Sequence, residues 1–133
     1  MTIHLDHLLI PVHDRVASAR LLATLLGVPW AEESGMGPFS AVYVSEGLTI
    51  DFDQAEADFP LQHYCFRVDE HEFQAILQRI VSAGITYRSL PHGPVDMQVN
   101  TMHGGSMVYW SEPAGHVWEL LTQSYARKTA PSK

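Results

Sequence analysis

Cysteine is nearly absent from the 133-residue chain, where Cys65 stands alone. No intrachain disulfide can form, so the fold must rest on its core, and a reducing, cytoplasmic compartment is the expected setting. Basic residues are also scarce. Eight Lys and Arg against fifteen Asp and Glu leave a net charge of −7, which removes the basic footprint that a nucleic-acid partner needs. No apolar run approaches the ~18 residues of a membrane span. No positively charged stretch followed by an apolar one opens the chain, so neither a membrane partner nor a signal peptide is expected. Hydrophobic residues still make up 46% of the sequence. At this length that suffices for one domain, 1–133, burying roughly two-thirds of its unfolded surface.

The chain repeats itself. His7-Leu8-Leu9-Ile10-Pro11-Val12 and His63-Tyr64-Cys65-Phe66-Arg67-Val68 share the pattern His-x-x-apolar-x-Val, 56 residues apart. Gly27-Val28 returns as Gly84-Ile85, and Tyr43-Val44-Ser45-Glu46 as Tyr109-Trp110-Ser111-Glu112. Asp51 in Thr49-Ile50-Asp51-Phe52 then aligns with Glu119 in Val117-Trp118-Glu119-Leu120. The offset grows between Gly84 and Tyr109, so one insertion lies around Pro91 to Gly104. Four matches in the same order predict two copies of one supersecondary unit, module 1 at about 1–54 and module 2 at about 61–125.

Local patterns assign the elements. Ile3 to Val12 reads as a strand. Asp14 caps a helix from Val16 to Leu26 that Gly27 ends. Pro29 to Glu33 is a short strand, and Phe39–Ser45 with Leu48–Asp53 a hairpin about Glu46-Gly47. Gln54 to Pro60 is an acidic link. His63–Val68 is the next strand, and Asp69 caps a helix through Ala83 with Phe73, Ile76, Leu77 and Ile80 on one face. Ile85 to Leu90 is read as a strand and Pro91 to Gly105 as a long loop, with a short strand near Met97 to Asn100. Val108–Trp110 and His116–Leu121 close a hairpin around Glu112-Pro113-Ala114-Gly115, whose Pro and Gly are turn residues. Arg127 to Lys133 is a polar tail. The expected fold is therefore α+β, with two βαβββ modules forming a curved mixed sheet around a cleft.

Strand alternation predicts what enters that cleft. Leu8, Ile10 and Val12 form the continuous apolar set and pack under the first helix, which turns His7 and Leu9 the other way. The same parity turns His63, Cys65 and Arg67, Glu119 and Leu121, and Thr49, Asp51 and Asp53 toward the cleft. An acid inside an otherwise apolar strand must be paired or must bind a metal. Two imidazoles and a carboxylate, His7, His63 and Glu119, suit Fe, Mn, Zn or Ni.

To about Tyr125 the chain resembles the vicinal oxygen chelate superfamily, which includes glyoxalase I, bleomycin-resistance proteins, fosfomycin-resistance enzymes and extradiol dioxygenases. The resemblance implies paired βαβββ modules around a divalent metal held at the positions of His7, His63 and Glu119, a small-molecule substrate, and a homodimer. Val108 to Glu119, apolar-Tyr-x-x-acid-Pro-x-Gly-x-x-x-Glu, is also similar to the extradiol dioxygenase signature, with His103 as its upstream histidine. There are departures. Fosfomycin enzymes carry Thr where this chain has Leu9, and four-ligand glyoxalases, whose resemblance makes Asp51 the candidate fourth metal ligand, carry Glu at that position. A ring-cleaving dioxygenase is favoured on this basis. A glyoxalase-like lyase or epimerase, and a metal-free protein that sequesters a small molecule such as an antibiotic, stay open.

Other residues divide between core and chemistry. Tyr109 either packs or donates its phenol to a substrate. His92 and His103, in or beside the loop insertion, are candidates to carry a proton. His4, His13 and His71 are expected at the surface, and His116 is expected to point outward. Cys65 is expected to be a small buried hydrophobe.

Overall fold

A computed structural model describes residues 2–35 and 37–127. The element order is β1 (His7–Val12), α1 (Arg15–Leu26), β2 (Trp30–Ala31), β3 (Phe39–Ser45), β4 (Leu48–Gln54), β5 (His63–Arg67), α2 (Glu70–Ser82), β6 (Met107–Ser111) and β7 (Val117–Leu121). The chain divides into two compact units. The first runs to Leu61 and includes the turn Glu112–Gly115. The second comprises Gln62–Ser111 and the chain from His116. The fold is α+β with two copies of the βαβββ plan. The tail from residue 128 lies outside the described residues.

In the first unit the sheet order is β1-β4-β3-β2. β1 runs parallel to β4, and β3 runs antiparallel to both β4 and β2. A parallel pair needs a crossover, which α1 begins. Asp14 starts α1 by accepting a hydrogen bond from the Ala17 amide at 3.1 Å, satisfying a donor that the first turn leaves unpaired. Gly27 stops it at φ 72°, a left-handed turn that a side chain would strain. α1 packs across β1, β3 and β4. It buries Leu22, Leu25 and Leu26, and the sheet buries Ile10, Val12, Ile50 and Phe52. Each such side chain is worth about 1.5–3 kcal/mol. These are the residues that alternation assigns to the helix side.

The turn between β6 and β7 belongs to this first unit. Gly115 adopts φ 109°, and its amide donates to the Glu112 carbonyl at 2.8 Å. The Glu112 carboxylate is buried and accepts from the Ser18 hydroxyl at 2.5 Å and the Ala114 amide at 2.6 Å.

The second unit repeats the plan with one strand fewer. Its sheet order is β5-β7-β6, with β5 parallel and β6 antiparallel to β7. Asp69 caps α2 by accepting from the Glu72 amide at 2.7 Å, and Gly84 follows the helix at φ 71°. Phe73, Ile76 and Ile80 are buried as expected, while Leu77 is only half-buried.

The strand expected at Ile85–Leu90 does not form. Arg88 makes a single bridge to Tyr109, because local side chains claim the neighbouring backbone. Asp96 accepts from the Ser89 amide, Met97 sulfur from the Tyr87 amide, and the Arg88 guanidinium folds onto the Pro91 carbonyl. The short strand expected at Met97–Asn100 is likewise reduced to one bridge, Asn100 to Met107. Met97 sits at φ 53°, which breaks an extended run. β1 also starts later than expected, at His7 rather than Ile3. Among the described residues no helix is long and apolar enough to cross a membrane.

Candidate functional site

A cavity of about 530 Å³ opens on one face of the second unit's sheet. β5 contributes His63, Cys65 and Arg67 to it, β7 contributes Glu119 and Leu121, and the segment after β7 adds Tyr125. Alternation explains the strand residues. The partners Tyr64, Phe66 and Trp118 point to the opposite face, where their rings pack with centroids 5.3 and 5.5 Å apart. On the same face of the sheet, Met107, Tyr109 and Leu121 form an apolar cluster with Val117.

Glu119 is the centre of this site. It is 0% exposed, and a buried carboxylate demands partners. His63 Nε2 lies 2.8 Å from its Oε1. The Tyr125 hydroxyl donates to Oε1 at 2.8 Å and to Oε2 at 2.7 Å. Cys65 stands directly opposite Glu119 in the β5–β7 register. The structure corrects the expectation for this cysteine, which is exposed rather than buried. Its β5 position faces the cavity, not the packed side of the sheet. Partial desolvation of the sulfur against the cavity wall, with the charge and hydrogen bond of Glu119, pushes the thiol up to about 12. Cys65 therefore stays a thiol at neutral pH and is no ready nucleophile.

Tyr109 stands opposite Glu119 on β6. It is buried, its hydroxyl 3.5 Å from Met107 sulfur and 3.4 Å from the Tyr125 hydroxyl. Burial raises the phenol, the Tyr125 hydrogen bond opposes this, and the nearby Glu119 charge adds to the rise. His103 lies with its ring 5.0 Å from that of Tyr125. His92 is exposed on the long loop and is not among the residues lining this cavity.

The first unit carries a cavity of its own, about 480 Å³, lined among others by Asp6, His7, Leu9, Thr49 and Asp51. His7 Nδ1 is 2.8 Å from the Asp6 carboxylate. Asp51 is 8% exposed, and its Oδ1 is buried without a hydrogen-bond partner. Burial raises its carboxyl above the ordinary range, against the pull of the His7 charge.

Of the expected ligands, then, His63 and Glu119 meet in the second unit, and His7 and Asp51 line one cavity of the first. Among the described residues no three of His, Cys, Asp and Glu are grouped closely enough to hold a metal ion. The donor chemistry nonetheless suits a divalent cation. His63 Nε2 converges on a Glu119 oxygen, and the Asp51 oxygen is a buried acceptor with nothing to accept from.

His4, His13 and His71 are exposed, as expected. His116 is not outward in the sense of facing solvent, because it is 0% exposed. Its Nδ1 accepts from the Gln62 amide at 3.0 Å and its ring meets Tyr64 edge-on. The parity that turns it away from Glu119 turns it into the packed side of the sheet. Tyr125 was beyond sequence reasoning, since it follows the last strand in a polar stretch with no period to orient it.

No protein-family model matches the chain. The solved structure of oxidase ChaP-H2 is 36% identical, with a TM-score of 0.86, over 95% of this chain and 98% of that one. Glutathione transferase FosA from Serratia marcescens is 29% identical over 95% of this chain and 85% of its own length. A glyoxalase/dioxygenase from Nostoc punctiforme shares the fold at a TM-score of 0.64 and 21% identity, covering 90% of each chain.

Proposed function

The chain belongs to the vicinal oxygen chelate superfamily, and from that premise we propose that it is a divalent-metal-dependent enzyme acting on a small molecule with two neighbouring oxygens, a ring-cleaving dioxygenase in type. His7, His63 and Glu119 are the protein ligands in this reading. The observation that carries it is the His63–Glu119 pair, 2.8 Å apart on a fully buried carboxylate at the floor of an open cavity. A charge is held there at a cost that packing alone does not require. The likeness to an oxidase at 36% identity supports oxygen chemistry over the glutathione transfer named for FosA.

A bound divalent metal supplies Lewis acidity toward the two substrate oxygens. The chain's own residues do the rest. Leu121 and the cluster around it form the apolar wall against which a ring can lie. Tyr109 keeps its proton, because burial raises its phenol, and it stands directly across from Glu119 in the β6–β7 register. His103, beside Tyr125, is the better placed of the two loop histidines to carry a proton, and exposed His92 the less.

Each sheet ends on its first strand, β1 in one unit and β5 in the other, and unpaired edges favour association. A homodimer is proposed on that basis. Some superfamily members exchange modules between chains, which would let His7 of one copy join the His63–Glu119 pair of another. A cytoplasmic setting fits the single thiol.

The test is anaerobic reconstitution with Fe(II), followed by a panel of catechols with oxygen uptake and the yellow ring-cleaved product as readouts. Turnover that disappears in Glu119→Ala, with metal content lost in His7→Ala and His63→Ala, is the expected result. Catechol binding without oxygen consumption across the panel removes the dioxygenase claim. One observation favours a second reading. The unpartnered Asp51 oxygen is what a fourth ligand would look like, and four ligands point to a lyase or epimerase. A dry cavity whose ligand binding ignores chelators would instead mark a metal-free sequestering protein.

A further inference from the structure

The segment after β7 does something that neither the repeat nor a metal triad calls for. It carries Tyr125 back over the cavity floor and sets its hydroxyl 2.8 and 2.7 Å from the two oxygens of Glu119. A group nearly equidistant from both oxygens sits in the mouth of the carboxylate, where the inner lone pairs of each oxygen converge. That is where a chelated cation would lie. His63 Nε2 also approaches Oε1, at 2.8 Å.

The ring is held there from its sides. His103 lies against it at 5.0 Å, and the Tyr109 hydroxyl is 3.4 Å from its own. Tyr125 is nevertheless 44% exposed, and among the described residues the segment's backbone is tied to the sheet at its start, where the Thr122 amide donates to the Ser106 carbonyl at 3.0 Å and the Thr122 hydroxyl accepts from the Ser106 amide at 2.9 Å. The contact is thus short in geometry and light in anchoring, the combination expected of something that can leave.

We propose that Tyr125 is a removable stopper. In the metal-free chain its phenol satisfies the buried Glu119 charge, and a divalent cation reaching His63 and Glu119 must displace it. This rests on the metal reading above. It makes Tyr125 a competitor of the cation rather than an outer partner that steadies its ligand, and the two roles predict opposite signs. An outer partner raises metal affinity, and its loss costs roughly 10–100-fold. Loss of a stopper lowers the work of binding, and a hydrogen bond to a charged group corresponds to roughly a tenfold gain or more.

The experiment uses the full chain stripped of metal, with Zn²⁺ alone as the probe, because it is diamagnetic and suits imidazole and carboxylate. Zn²⁺ is titrated calorimetrically into the parent, Tyr125→Phe and Glu119→Ala. The same titration is followed by ¹⁹F NMR on protein labelled with 3-fluorotyrosine, the Tyr125 resonance being the one missing from Tyr125→Phe. The expected result is Zn²⁺ binding about tenfold tighter in Tyr125→Phe, with the Tyr125 resonance of the parent moving to the position of an exposed tyrosine at saturation. Thermal unfolding of metal-free Tyr125→Phe checks that the ring still packs. Equal or weaker binding in Tyr125→Phe, or a Tyr125 resonance unmoved at saturation, overturns the stopper and leaves the metal reading standing. If neither parent nor Tyr125→Phe takes up Zn²⁺, the metal reading falls and the stopper with it.

Discussion

In both units a histidine opens the first strand, and an acid lies two residues along on the parallel strand that closes the module. His7 pairs in register with Thr49 and Leu9 with Asp51. His63 pairs with Val117 and Cys65 with Glu119. The backbone placement is the same, yet only the second pair closes. His63 reaches Glu119 at 2.8 Å, while His7 turns to its sequence neighbour Asp6 and leaves an Asp51 oxygen with no partner. Two differences account for this. Aspartate is one methylene shorter than glutamate, so its carboxylate stays nearer its own strand. Asp6 also offers His7 an adjacent acceptor, and Gln62, at the matching place before His63, carries no charge. A duplicated backbone thus delivers one finished half-site and one open one.

The comparison breaks most visibly at Glu119. Glu119→Ala should lower divalent-metal affinity by more than the roughly 10–100-fold that loss of an outer partner costs. Asp51→Ala should cost less, and metal analysis by calorimetry ranks the two. Equal losses would mean that both half-sites are ligands of the same standing.

Asp51 supplies a second contrast, in stability. Burial raises its carboxyl from 3.8, so as pH climbs the unfolded chain gives up this proton before the folded one. The stability it contributes is full below the ordinary carboxyl range and lost as pH rises through the raised value. Asp51→Asn should therefore stabilise the metal-free chain at pH 7 by about 1–3 kcal/mol, with the gain shrinking toward pH 3. Urea unfolding at both values checks this, and a less stable variant at pH 7 would show that the carboxylate has a partner.

The smallest effect separates the two helices. α1 has no acidic residue in its first turn, whereas α2 has Glu70 and Glu72 there. Asp14→Ala should cost ~1 kcal/mol. Asp69→Ala should cost less, because the remaining acids still favour the helix N-terminus. Denaturation midpoints of the two variants give the order.

Much of this was readable in the sequence because it rests on local rules. Asp14, Gly27, Asp69 and Gly84 mark the helix ends by caps and left-handed turns, and alternation alone orients Ile50, Phe52, Asp51, Trp118 and Glu119. Legibility ended where tertiary partners decide. Ile85 to Leu90 has a strand's composition, but Asp96 and Met97 take its amides. His116 and Cys65 lie on opposite faces of one sheet, and alternation cannot say which face the rest of the unit covers. Tyr125 lies outside any periodic element, so only its landing point on Glu119 reveals it.

The Ser18–Glu112 hydrogen bond joins residues 94 apart in sequence, and this has a consequence for how the protein is made. Ribosomes add roughly 5–20 residues per second, so Ser18 emerges about 5–20 s before its acceptor exists. For about the last 3–10 s of that interval, once synthesis has passed Leu61, the first unit has its strands and its helix but not the four-residue turn that completes it. A nascent chain halted near Leu61 would hold an unfinished body, open to chaperones and proteases. The two repeats look like separable copies, but the ribosome has to deliver the second as far as β6 before the first is whole.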